Sequence, residues 1–147
     1  LARHAGFDSA LIVRGVEGGV LPSLRQSGKA FYYRDGGAEQ ALDFAPAGFG
    51  IEQSLRAAPL PPGLTRESDD NDEAPKVLDT AAIAQAAAAE GRAALAGQPG
   101  PVRDSLVSAA ALCLYHLQRH DSLRAAADAV RAVLDNGAAL ERFASGA

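Results

Sequence analysis

The sequence predicts an α/β protein in which strands of a central sheet come first and three packed helices follow. Three observations predict it. Ala10-Leu11-Ile12-Val13 is an unbroken apolar run with a β-branched pair, the pattern of a strand buried on both faces of a mostly parallel sheet. Lys29 to Tyr33 and Leu42 to Phe44 are short β-prone runs separated by Asp35-Gly36-Gly37, as in a hairpin. Beyond Val77, apolar residues recur at three- and four-residue steps, which is helical spacing.

The organisation follows from these runs. Residues 1–54 form the strand-rich half, which includes the glycine loop Arg14-Gly15-Val16-Glu17-Gly18-Gly19 and ends near Gly48-Phe49-Gly50-Ile51. Residues 55–76 change character: prolines bracket Arg66 to Glu73, a stretch with five acids and no apolar side chain. Such a stretch cannot bury enough surface to offset its ordering entropy, so it is expected to be an exposed loop. Its acids lack the glycine and terminal glutamate of a calcium-binding EF-hand.

Residues 77–147 are expected to be the helical half of the same domain. Asp79 or Thr80 can cap a helix through the alanine-rich stretch to Ala96, with Gly97 as its stop. Pro101 is suited to open the second helix, whose apolar face is expected at Leu106, Ala110, Leu114 and Leu117. Asp121 or Ser122 begins the third, with Leu123, Ala126, Ala127, Val130, Val133 and Leu134 as its buried stripe and Asn136-Gly137 as its stop. A short final turn, Ala138 to Phe143, is expected to dock on it.

Composition limits the function. In 147 residues, 14 Lys+Arg against 18 Asp+Glu give a net charge of −4, so the chain as a whole has no electrostatic footprint for nucleic acid or an anionic membrane. The single cysteine, Cys113, excludes an internal disulfide and fits a reducing compartment. No apolar run approaches the roughly 20 residues that span a bilayer, and the expected location is cytoplasmic. With no methionine and Leu1 at its start, the sequence reads as a piece of a longer chain with its upstream half missing, inactive by itself.

The best functional candidate is the loop after the first strand: Arg14, Gly15, Glu17, Gly18 and Gly19. Ligands of α/β sheets bind outside the carboxyl ends of strands, and glycines there let backbone N–H groups approach a phosphate. Other constellations read more simply as structure. Cys113, His116 and His120 would share one face of an unbroken helix, as in a zinc site, but Cys113 suits a small buried position and no fourth ligand has matching spacing. His4 has no evident nucleophile beside it. Of the neighbours Tyr32 and Tyr33, which point to opposite faces of a strand, one is expected in the core.

Four segments, in order, resemble one family. Ala10-Leu11-Ile12-Val13-Arg14-Gly15 looks like the "A-L-V-V-H-G" strand of anthranilate phosphoribosyltransferase and its glycosyltransferase family three relatives. Pro46-Ala47-Gly48-Phe49-Gly50-Ile51 resembles that family's "P-E-x-F-G-L", and Arg103-Asp104-Ser105-Leu106-Val107-Ser108-Ala109-Ala110-Ala111 its "R-D-x-V-x-x-N-A-A" helix. Leu134-Asp135-Asn136-Gly137-Ala138-Ala139-Leu140 is similar to its "I-D-S-G-x-A-L". The resemblance implies part of the larger domain of a nucleoside phosphorylase/phosphoribosyltransferase-type fold, dimerising through a helical domain outside this sequence. It implies transfer of phosphoribosyl from phosphoribosyl pyrophosphate to a nitrogen acceptor such as anthranilate, with magnesium in the parent protein.

The sequence departs from the family where the metal binds. Against the family's "H-G-x-D-G-L-D-E", Arg14 replaces the histidine, Glu17 the first acid, and Val20-Leu21 the carboxylate pair that serves magnesium. Valine and leucine cannot ligate it, so no metal site is expected in this piece unless Glu17 compensates. The altered loop is similar to a divergent, noncatalytic branch of the fold that binds nucleic acid and tends to read "R-G-x-E-G". Arg14, Arg25, Lys29 and Arg34 would give that alternative a local basic stripe.

Overall fold

The computed structural model describes residues 1–16, 21–59, 65–66 and 77–146. It is a mixed α/β arrangement of a three-stranded antiparallel sheet, a separate two-stranded ladder and four helices. The sheet contains β1 (Ala10–Val13), β2 (Gly28–Tyr33) and β3 (Gln40–Phe44), in that spatial order. A single 3-10 turn, Pro46–Phe49, follows β3. The ladder pairs β4 (Thr65–Arg66) with β5 (Val77–Leu78). The rest of the acidic loop expected at 55–76 lies largely outside the described residues. The helices are α1 (Thr80–Leu95), α2 (Pro101–His116), α3 (Leu123–Asp135) and α4 (Ala138–Ser145).

The hairpin expectation is met: β2 and β3 pair antiparallel, Lys29 opposite Asp43, around a turn in which Asp35 and Gly36 take φ of 48° and 67°. The parallel sheet is not. β1 pairs antiparallel with β2 and lies at the sheet edge, and Ile12 is 59% exposed. Only one face of this sheet is covered by the core, so the unbroken apolar run of β1 is half solvated.

The covered face meets the helices. Leu24, Ala30 and Phe44 pack with Phe49 and Ile51 against Val107, Ala111 and Leu112 of α2 and Ala126, Ala127 and Leu134 of α3. Phe49 is 1% exposed, and its ring meets that of Phe44 edge-on at 5.9 Å between centroids. Gly50, at φ 70°, turns the chain out of the 3-10 turn so that Ile51 also enters the core.

The helix ends follow local chemistry. Asp79 Oδ1 accepts from Ala82 N at 3.0 Å and Ser122 Oγ from Ala125 N at 3.1 Å, capping α1 and α3. Gly97 and Gly137, at φ 83° and 80°, take the left-handed positions that follow α1 and α3. The last segment is longer than the expected turn; α4 runs two residues past Phe143 to Ser145.

The face of α2 is a correction. Its most buried residues are Ser105, Val107, Ser108, Ala111 and Leu112, not the stripe Leu106, Ala110, Leu114 and Leu117. α2 is apolar on both sides: Leu106, Ala110 and Leu114 instead border an open groove against α3 and α4, where Val133 is also exposed, and Leu117 lies exposed just past the helix. Arg103 pairs with Asp135 to join α2 to α3, and Gln53 Nε2 donates to Asp104 Oδ2 at 2.7 Å. The segment around Gln53 and the ends of α2 and α3 are thereby fastened together. Among the described residues, no helix is long and apolar enough to cross a membrane.

Candidate anion-binding groove

The glycine loop leaves β1 and is closed at its base by Val16 N donating to Leu21 O at 2.9 Å. Glu17, Gly18, Gly19 and Val20 lie outside the described residues. Arg14 and Gly15, the other candidates, do line a concavity, and it is the groove beside the end of β1. Its volume is about 500 Å³, within the range of small-molecule sites.

Local structure explains what surrounds it. Ser23 Oγ accepts from Arg25 N at 3.2 Å and Gln26 N at 3.0 Å, which tightens the turn leading into β2. Leu24 is anchored in the core, and its N–H donates to Arg56 O at 2.9 Å, holding the segment that carries Arg56 against this turn. Arg25 Nη1 reaches Ser54 O at 3.2 Å and secures the same junction. Gly28 opens β2 where a Cβ would fall 2.5 Å from Phe44 Cζ, so the ring closes the groove floor only because the side chain is absent.

Arg14, Lys29 and Arg56 therefore surround one groove, with Ser27 and Phe31 between them. Lys29 Nζ lies 3.3 Å from Asp43 Oδ1, a cross-strand pair with both side chains exposed. Such a pair is screened by water and leaves the lysine usable by a ligand. None of the described residues lining the groove is a carboxylate. Leu21 is exposed beside the loop. The described donor set is suited to an anion.

Other candidates separate. Arg34 is drawn away from the groove: its guanidinium donates to the end of α2 and lies over the Tyr32 ring at 4.6 Å. Arg25 is engaged at Ser54, so the basic stripe reduces to Arg14 and Lys29, joined by Arg56. Both tyrosines are buried, Tyr32 donating to Gln40 Oε1 at 2.7 Å and Tyr33 to Phe7 O at 3.0 Å. The zinc-like trio divides because α2 ends at His116. Cys113, exposed rather than buried, and His120 border the apolar groove, while His116 meets the Tyr32 ring edge-on at 5.9 Å. Among the described residues no three His, Cys, Asp or Glu side chains form a metal-binding group.

His116 Nδ1 is buried and makes no hydrogen bond. Burial, then the charge of Arg34, pushes its pKa below the ordinary 6.5. Sequence reasoning missed Arg56 and Phe31. Arg56 arrives from a distant segment through a backbone hydrogen bond that no local pattern announces, and Phe31 sits among alternating apolar residues whose outward face is set by pairing. No protein-family model and no curated protein matches the chain.

Proposed function

We propose that the groove at the end of β1 binds the phosphates of single-stranded nucleic acid, on a chain that resembles the phosphoribosyltransferases without their magnesium chemistry. The observation that carries this reading is the convergence of Arg14, Lys29 and Arg56 on one groove of a protein whose net charge is −4. Three cations on one groove favour a polyanion, and the absence of broad positive charge favours a short contact track over general duplex binding. Val20-Leu21 in place of the family's magnesium pair supports a binding role over transfer chemistry.

Phosphoribosyl transfer is the second reading, favoured by the four motifs in register and by a groove volume that suits a small phosphorylated sugar. On that reading Arg14 and Lys29 would hold the pyrophosphate by charge, orienting the sugar toward the nitrogen acceptor. One pair of titrations separates the two. Fluorescence anisotropy with a labelled oligothymidylate across a potassium chloride series is expected to show binding that weakens steeply with salt. Calorimetry with phosphoribosyl pyrophosphate and magnesium is expected to show no saturable binding. The reverse pattern would replace the first reading with the second.

A further inference from the structure

The groove does not end at Phe31. That ring also forms one wall of a second, smaller concavity of about 160 Å³ on the outer face of the sheet, bordered by Arg3, His4, Ile12 and Glu39. Strand alternation puts Lys29, Phe31 and Tyr33 on this face while Ala30 and Tyr32 point into the core. Phe31 is 45% exposed, and its cross-strand partner Ile12 is exposed beside it. On the far side Arg3 lies over the Tyr33 ring at 4.3 Å and donates to Gly36 O and Gly37 O. Phe31 thus stands between the groove of Arg14 and Lys29 and a smaller hollow bordered by both Arg3 and Glu39.

We infer that Phe31 is a base-stacking platform for a single strand of nucleic acid whose phosphates lie in the adjoining groove of Arg14 and Lys29. This rests on the nucleic-acid reading above and adds which residue meets the bases. An exposed phenyl ring at the rim of a cationic groove offers a flat apolar face to a base and sets the adjoining phosphate beside Arg14 and Lys29. A duplex keeps its bases stacked inside and cannot use such a ring, so the platform selects unpaired strands.

The test compares a labelled oligothymidylate with an abasic oligomer of the same length, using the wild-type chain, Phe31→Ala, Phe31→Leu, Phe31→Trp and Arg14→Ala, each checked for native circular dichroism. Phe31→Ala and Phe31→Leu are expected to weaken oligothymidylate binding roughly tenfold with an unchanged salt slope, and to leave abasic binding as it was. The wild-type chain has no tryptophan, so Phe31→Trp provides a single indole whose fluorescence should be quenched on binding oligothymidylate but not the abasic oligomer. If Arg14→Ala weakens binding while Phe31→Ala and Phe31→Leu bind oligothymidylate like the wild type, the platform is overturned and the groove reading stands. If the wild-type chain binds neither oligomer at low salt, both fall.

Discussion

Arg34 closes the last turn of α2 at His116: its Nε donates to the His116 carbonyl at 2.6 Å and its Nη2 to that of Tyr115 at 3.0 Å. The residue just past β2 thereby pairs the carbonyl of His116, adds a second donor to that of Tyr115, which also accepts from Gln118 N at 3.0 Å, and places a positive charge at the helix's negative end. The guanidinium is also held over Tyr32 at 4.6 Å and Tyr115 at 5.7 Å. Arg34→Ala is expected to destabilise the fold by about 2 kcal/mol, the worth of charge-assisted hydrogen bonds lost at a half-buried site. Arg34→Lys should recover part of this, since an ammonium restores the charge without the two-pronged geometry. Urea unfolding of the three proteins measures both.

His116 makes stability depend on pH. Its folded pKa lies below the unfolded 6.5 because burial and Arg34 disfavour the imidazolium. As pH falls below about 6.5, the unfolded chain takes up a proton that the folded chain resists, so this contribution is full above that pH and declines beneath it. His116→Phe retains a ring against Tyr32 and removes the titration. The loss of stability between about pH 8 and about pH 5 should be smaller in this variant than in the wild type, by comparison of urea midpoints. An equal loss in both would show that His116 is not a source of the dependence.

Gly28 is a packing requirement. A methyl group there would overlap the buried Phe44 ring, which is also held edge-on by Phe49. Gly28→Ala is expected to cost about 1–3 kcal/mol through overpacking. Thermal unfolding should show the loss, and Gly48→Ala, where a Cβ has no neighbour within 4 Å, is the control for a change of glycine without a clash.

The groove cations have a signature separate from that of Phe31. Arg14→Ala and Lys29→Ala should each lower the slope of log affinity against log salt by about 0.7 on a single strand, reflecting one fewer phosphate contact. Arg34→Ala is the internal contrast, because its guanidinium is committed to α2; its salt slope should match the wild type. Anisotropy titrations across potassium chloride concentrations read all three.

Legibility followed the range of the forces involved. Helix starts were plain because Asp79, Pro101 and Ser122 act on the residues next to them, and the stops at Gly97 and Gly137 are equally local. The end of α2 was not plain. The chain leaves the helix through Gln118 at φ 55°, a residue with no glycine-like preference, in the segment just past the turn closed by Arg34, which follows β2. That end carries His120 off the helix face and dissolves the spacing shared with Cys113 and His116.

The alternation of β-prone runs and helices, the hairpin, most helix caps and the candidacy of Arg14 and Gly15 are written in the chain, since each depends on residues a few positions apart. Folding in three dimensions decided that β1 is an antiparallel edge strand, because an apolar run of four reads the same in a buried parallel strand and at a half-solvated edge. It also decided which arginines border the groove. Arg34 is drawn to the carbonyls of α2, whereas the backbone bond from Leu24 to Arg56 brings a more distant cation to the groove of Arg14 and Lys29. Charge along a chain records how many cations there are; the partners supplied by folding determine where they point.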